Sequence, residues 1–145
     1  MRGVGGFSLL ELLSVLAIAS VLMLVALPAY REMVVRAQRV AGKVALMEVI
    51  NRQERHLLNF KKYSTSMTEL GFGSDYYVGP TADVASEDDA VYRVELALEE
   101  GVFRAVRAVP WNAQRRDTDC GTLTLDRWGG RGVLGTFATQ PGRCW

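Results

Sequence analysis

A single carboxylate, Glu11, stands in an otherwise apolar stretch that runs from Phe7 to Leu27. As a helix, these roughly 20 residues would span about 30 Å, the thickness of the hydrocarbon core of a bilayer. A charge near the centre of a bilayer costs about 2.5–3.5 kcal/mol or more, so an acidic residue at that depth indicates a function by default. The chemistry that Glu11 offers there is charge pairing with a cation in or near the membrane.

Three interpretations of the apolar stretch compete. A secretory signal peptide has a basic stub, an apolar region of about 7–15 residues and a cleavage site of small residues. This run is longer, and Pro28-Ala29-Tyr30 makes a poor exit site. A plain single-pass anchor fits the length but gives Glu11 no role. In the third interpretation, which Glu11 favours, cleavage occurs before the apolar run and the helix stays in the mature protein.

The sequence Gly6-Phe7-Ser8-Leu9-Leu10-Glu11 resembles the class III signal of type IV prepilins and the related pseudopilins. The resemblance implies that a membrane prepilin peptidase cuts after Gly6 and methylates the new N-terminus at Phe7. Gly6 suits such a cut because a residue without a side chain lets an extended backbone enter a tight cleft. The resemblance further implies that Glu11 neutralises the Phe7 amine of a neighbouring subunit during assembly, and that Pro28 bends the helix.

The elements that position these residues follow from periodicity. Pro28 removes one backbone donor, so we expect a bend, not an end, in one helix from about Ser8 to about Phe60. Beyond Pro28, apolar residues recur every three or four positions, which predicts a stripe that packs on a sheet. The stripe consists of Met33, Ala37, Val40, Val44, Met47, Ile50 and Leu57. Gly42 is a predicted weak point, because glycine costs about 1 kcal/mol relative to alanine in a helix.

The rest of the chain predicts a loop followed by strands. Residues 61–89 are rich in Gly, Ser, Thr and Asp and are predicted to form a long connecting loop. Alternating apolar residues predict strands at 90–99, 102–109 and 121–127, and a short fourth strand near 132–137 is compatible with the pattern. The fold class is therefore α+β, with a long N-terminal helix packed on a small antiparallel sheet. This architecture resembles the type IV pilin fold.

The predicted organisation has five consecutive parts. These are a leader peptide at 1–6, a transmembrane assembly helix at 7–27, an extramembrane amphipathic helix at 28–60, a connecting loop at 61–89 and an antiparallel sheet with a C-terminal disulfide loop at 90–145. The soluble part of roughly 100 residues is enough for one modest core and not for two domains.

Cys120 and Cys144 are the only cysteines, and neither belongs to a CxxC pair or lies near the single histidine, His56, in the sequence. A zinc site is therefore not expected, and no metal or cofactor is predicted. The layout resembles the C-terminal disulfide loop of pilins. Such a bridge would contribute about 3–4 kcal/mol in the chain-entropy model and would require an oxidising compartment. Two buried free thiols are the alternative.

The signals for membrane orientation disagree. Basic residues flank the apolar stretch mainly on its C-terminal side, at Arg31, Arg36, Arg39 and Lys43, against Arg2 on the other side. A positive-inside count would place the C-terminal domain in the cytoplasm. Long domains can translocate despite such charge, and the cleavage and cysteine signals agree with each other. We therefore predict a single-pass inner-membrane protein with a periplasmic C-terminal domain, which later enters the extracellular pilus.

The net charge is +1, but the charges are segregated along the chain. Residues 64–100 hold nine acidic residues and only Arg93 as a base, whereas the segment after Gly101 is dominated by arginine. Surface charges that cancel within one globule are one interpretation. Another is that the acidic loop of one subunit packs on a basic surface of the next. A third is that the C-terminal arginines, with Trp111, Trp128 and Trp145, contact DNA.

The resemblance implies a structural subunit of a type IV pilus, in the minor rather than the major class, with a role in assembly, adhesion or twitching motility. The alternatives are a pseudopilin of a type II secretion system and a pilus-displayed adhesin or DNA-uptake receptor. The sequence holds no recognisable nucleophile motif or phosphate-binding glycine loop, so an enzyme is not expected. The implied partners are other pilin subunits, the prepilin peptidase, the inner membrane before assembly and the inner-membrane pilus assembly platform.

Overall fold

The computed structural model describes residues 8–145. The predicted cleavage and methylation positions, Gly6 and Phe7, lie outside the described residues. The chain divides into two compact units, Met1–Val34 and Val35–Trp145. One helix, α1, runs through both units from Leu9 to Phe60.

The first unit contains the apolar half of α1. The helix continues through Pro28, as predicted, and the bend at that residue stays a prediction. The helix is long and apolar enough to cross a membrane. Two hydroxyl groups in the apolar stretch are satisfied within the helix, because Ser14 donates to the Leu10 carbonyl at 2.8 Å and Ser20 to the Leu16 carbonyl at 2.6 Å. Such internal pairing suits a helix in lipid, where no water is present to bind polar groups.

The second unit is built on an antiparallel sheet. In the described part of the chain, five strands form one sheet in the order β1-β2-β3-β4-β5. The strands are β1 (Tyr76–Val78), β2 (Tyr92–Glu99), β3 (Val102–Pro110), β4 (Leu123–Asp126) and β5 (Arg131–Val133). Each strand pairs with the next along the chain, and the second half of α1 packs on one face of the sheet. The α+β prediction is confirmed.

The core lies between α1 and the face of the sheet formed by alternate strand residues. Its strand members are at most 7% exposed and include Val78, Tyr92, Val94, Val106, Ala108, Leu123, Leu125 and Val133. Its helix members are Ala41, Ala45, Leu46 and Val49. This arrangement corrects the predicted packing stripe, whose members Met33, Val40, Val44 and Met47 are 63%, 56%, 46% and 43% exposed. The helix carries two apolar faces, and the one that contains Ala41, Ala45, Leu46 and Val49 packs on the sheet.

Gly42 lies where α1 comes closest to the sheet. A Cβ atom at this position would stand 3.0 Å from Cε2 of Tyr92 and 3.2 Å from Cδ1 of Leu123. Both of those side chains are fully buried. The prediction that Gly42 is a weak point considered helix propensity alone, whereas the packing of the helix on the sheet requires a small residue there.

Residues 61–89 are more structured than predicted. They contain a 3-10 helix at Thr68–Leu70 and the strand β1, and Val84 forms a further bridge to Val78. A strand of three residues is too short to give a periodic signal. The start of this segment is fastened by buried Gln53, whose side-chain amide exchanges two 2.9 Å hydrogen bonds with the backbone of Ser64.

Candidate functional site

The carboxylate of Glu11 lies in the first turn of α1. The backbone N–H groups of Glu11 and Leu12 donate to the Ser8 carbonyl at 3.0 and 3.2 Å, so Ser8 is the residue that caps the helix. Ser8 and Glu11 therefore have the types and spacing of a capping box. A carboxylate in the first turn also faces the positive end of the helix dipole. The predicted partner of Glu11, the Phe7 amine, lies outside the described residues, so their pairing stays a prediction.

In the second unit, α1 presents an apolar row away from its own sheet. Val40, Val44, Met47 and Leu58 follow helical spacing and are 43–69% exposed. The polar residues Asn51 and Glu54 interrupt this row between Met47 and Leu58, so the row is continuous only from Val40 to Met47. An exposed apolar surface on a folded unit marks an interaction site.

A disulfide joins Cys120 to Cys144, with an S–S distance of 1.99 Å, and the alternative of free thiols is excluded. Both cysteines are buried. The loop between them carries β4 and β5, and the indole N–H of Trp145 donates to the Gly132 carbonyl at 3.0 Å. The disulfide and this bond fix the C-terminus to the last strand.

A buried ion pair links α1 to the segment that directly precedes the disulfide loop. Arg39 donates two hydrogen bonds to the carboxylate of Asp117, at 2.7 and 2.8 Å, and that carboxylate also accepts from the backbone N–H of Cys120 at 3.2 Å. Beside the pair, the side-chain amide of Gln114 donates to Tyr92 Oη at 3.0 Å and to the Val35 carbonyl at 3.1 Å. Burial raises the pKa of the Tyr92 hydroxyl, which therefore stays neutral in this network. Sequence reasoning missed this network, because nothing in a polar loop indicates which residues will be buried.

In β3 and the segments that follow it, six arginines have no carboxylate within ion-pair distance among the described residues. They are Arg107, Arg115, Arg116, Arg127, Arg131 and Arg143. Four of them instead lie over aromatic rings, as cation–π pairs. The guanidinium-to-centroid distances are 4.5 Å for Arg115 on Trp111, 4.3 Å for Arg127 on Trp128, 5.5 Å for Arg131 on Trp145 and 3.9 Å for Arg143 on Phe137. Each of the three tryptophans that the sequence suggests for contact with DNA therefore lies against an arginine.

The acidic segment is neutralised only in part by the described residues, through the contacts of Glu69, Glu95 and Glu99. Asp83, Glu87, Asp88 and Asp89 form none of the ion pairs found there. Direct contact between the two charged segments is confined, among the described ion pairs, to Arg104 and Glu99 at 2.8 Å, so most of their charge is not cancelled within one globule. Among the described residues, no group of three or more His, Cys, Asp and Glu side chains is placed to hold a metal ion.

Comparisons with known proteins agree with the two-part construction. Residues 1–27 match the family model of the prokaryotic N-terminal methylation motif. Residues 28–124 match the family model described as type IV minor pilin ComP, DNA uptake sequence receptor. The type IV major pilin protein PilE1 of Neisseria gonorrhoeae is 32% identical over 139 residues, which cover 94% of this chain and 69% of that protein.

Proposed function

This chain belongs to the family of the type IV minor pilin ComP and is a structural subunit of a type IV pilus, and we propose that α1 docks it among the helices of neighbouring subunits. The exposed apolar row of Val40, Val44 and Met47 carries this proposal. These side chains face away from the chain's own sheet, so another apolar surface must cover them to remove them from water. Neighbouring pilin helices present such a surface.

The methylation-motif match supports the same processing that the sequence predicts. The prepilin peptidase would cut after Gly6 and methylate Phe7, and Glu11 would pair with the Phe7 amine of a subunit already in place. Pro28 would bend the helix during packing. The penalty of an unpaired charge in lipid would then favour docking in one register.

The proposed route begins in the inner membrane, at the pilus assembly platform, with the C-terminal domain in the periplasm. The disulfide supports that orientation, because such bonds persist in oxidising compartments. The arginines that follow the apolar stretch argue for the opposite orientation. Labelling of a cysteine introduced at the exposed residue Thr139 (Thr139→Cys) tests this point in whole cells, since both native cysteines are in the disulfide. Labelling by an impermeant reagent only after lysis would contradict the route.

The assembly role is tested by Glu11→Val. We expect the variant to insert in the membrane and to be cleaved, but to be largely absent from sheared pili, because it has no charge to pair with the neighbouring amine. Immunoblots of the membrane and pilus fractions measure both quantities. Ser14→Val is the matched control, since the Ser14 hydroxyl bonds only its own helix. Normal incorporation of Glu11→Val would contradict the proposed pairing.

Deletion of the gene distinguishes a pilus subunit from the alternative, a pseudopilin of a type II secretion system. Piliation, twitching, DNA uptake and type II secretion are scored in the same deletion strain and in its complemented strain. We expect a pilus-dependent phenotype with secretion unchanged. Lost secretion with intact pili would reverse this assignment.

A second candidate function, receptor for DNA during uptake, is favoured by the six arginines that lack a carboxylate partner. A cation that no acid neutralises is available to phosphate, and the arginine–ring pairs combine charge with flat apolar surface, as nucleic-acid sites do. The matched family model, whose description names a DNA uptake sequence receptor, supports this candidate. DNA is therefore a proposed partner of the basic surface.

Titration of a labelled duplex with the detergent-solubilised full chain tests DNA binding. We expect the affinity to fall steeply between about 50 and 200 mM salt. Arg131→Gln removes a cation that lacks a carboxylate partner and should reduce the salt dependence. Arg104→Gln is the control, because its Nε already lies 2.8 Å from the Glu99 carboxylate. Absence of binding at low salt would remove this candidate.

A further inference from the structure

The turn between β4 and β5 presents a tryptophan to solvent. Trp128 is 73% exposed, and among the described residues outside α1 it is the only aromatic side chain with large exposed apolar surface. Trp111 and Trp145, by comparison, are only partly exposed. An exposed indole contributes nothing to the core of its own subunit, and such a residue is a frequent anchor in binding surfaces.

The turn holds this indole on a fixed backbone. The Asp126 carboxylate accepts from the backbone N–H groups of Trp128 and Gly130, at 2.8 and 2.7 Å. The backbone of Asp126 is also bonded to Gly130 and to Gly129, at 2.9 and 3.1 Å. Gly129 has a φ of +86°, and a Cβ at Gly130 would overlap the Asp126 carboxylate. A backbone fixed in this way loses little conformational entropy when the indole contacts a ligand.

Arginines stand at both ends of the turn that carries the indole. The Arg127 guanidinium lies 4.3 Å from the centre of the Trp128 ring, and it is the only ring contact found for Trp128 in the described part of the chain. Arg131 lies at the other end of the same turn, and neither arginine has a carboxylate partner there. An available ring face beside unneutralised cations fits a ligand that combines phosphate with flat bases.

We propose that Trp128 contacts nucleobases by stacking, while Arg127 and Arg131 contact the phosphates beside them. This inference rests on the proposed DNA-binding function and adds to it a division of roles. Stacking is independent of counterion release, whereas each phosphate contact contributes about one unit to the salt slope. The two kinds of residue are therefore expected to differ in how their loss changes the salt dependence of binding.

The test compares Trp128→Ala, Trp128→Phe and Arg131→Gln in the detergent-solubilised full chain. The probes are a random-sequence duplex and its single strand, each labelled with fluorescein, titrated over a series of salt concentrations. We expect Trp128→Ala to weaken binding about fivefold to a hundredfold with the salt slope unchanged. Trp128→Phe should keep most of the affinity, and Arg131→Gln should lower the slope by about one. Thermal unfolding checks that each variant folds.

The outcomes separate this inference from the function on which it rests. A wild-type chain that binds neither probe at low salt overturns both. A wild-type chain that binds, with Trp128→Ala unchanged in affinity at every salt concentration, overturns the stacking role and leaves the DNA-receptor function standing. Reduced incorporation of Trp128→Ala into pili together with unchanged DNA affinity also overturns it, and would place Trp128 against a neighbouring subunit.

Discussion

The Arg39–Asp117 pair is the buried charged contact that joins the helix to the start of the disulfide loop. Its side chains are 12% and 1% exposed, so both charges have lost most of their water. Such a pair contributes little relative to an apolar substitute, but removal of one partner leaves an uncompensated buried charge. The network that surrounds it also contains one unsatisfied atom, Oε1 of Gln114. Loss of one partner is therefore expected to lower the free energy of unfolding by more than the intact pair adds relative to an apolar substitute.

Asp117→Asn tests this argument at the residue scale. We expect a loss of about 3–5 kcal/mol in the free energy of unfolding, because Arg39 keeps its charge without a counterion. Urea denaturation of the full chain in detergent, followed by tryptophan fluorescence, measures the loss. Asp88→Asn, at an exposed acid that forms none of the ion pairs among the described residues, is the control. Equal stability of the two variants would show that the pair is solvated in practice.

At the scale of elements, the helix–sheet contact depends on how closely the two backbones approach. Ala41, Gly42 and Ala45 form the part of α1 that faces Tyr92 and the neighbouring strands. Larger apolar residues on the opposite side of α1 stay exposed, and they are the ones available to other subunits. The helix thus has one apolar face that packs on its own sheet, with small residues at the close approach, and a second apolar face that stays exposed.

Gly42→Val tests the close approach. We expect a destabilisation of about 1–3 kcal/mol, since the added methyl groups overpack against rings and methyl groups that are fully buried. Met47→Val introduces the same side chain at an exposed position of the same helix and should change stability by about 0.5 kcal/mol or less. Chemical denaturation of both variants supplies the comparison. A stable Gly42→Val would mean that Tyr92 can move aside.

The same contact explains what could be predicted from the sequence. The extent of α1 and the strands β2 and β3 follow from local periodicity, which the sequence displays directly. Of the predicted core face of α1, Ile50 packs against the core, whereas Met33, Val40, Val44 and Met47 are exposed. Apolar residues occur on two faces of the helix, and only the partner surface decides which face is buried. The strand β1 and the Arg39–Asp117 pair depend on residues far apart in the chain, so no local pattern indicates them.

At the scale of the whole molecule, one small chain combines an acidic segment and an arginine-rich segment with a long helix and a loop closed by a disulfide. In the proposed function the helix serves assembly, and the sheet unit carries the arginine–ring pairs. Three of these pairs include residues within or next to the loop that the disulfide closes, namely Arg127 on Trp128, Arg131 on Trp145 and Arg143 on Phe137. Assembly and ligand contact are therefore expected to respond differently to loss of the disulfide.

The double variant Cys120→Ser, Cys144→Ser tests that separation. We expect it to lose about 3–4 kcal/mol of stability. We also expect the C-terminal ring pairs to become more mobile, because Trp145 loses its covalent link to the loop and keeps only non-covalent contacts, such as its bond to the Gly132 carbonyl. DNA affinity should fall more than incorporation into pili, which uses α1. The DNA affinity of the solubilised chain and the pilus content of cells are measured for the same variant. Wild-type protein treated with reductant provides a second way to open the loop. A variant that retains DNA affinity while losing pilus incorporation would place the disulfide loop in the subunit interface instead.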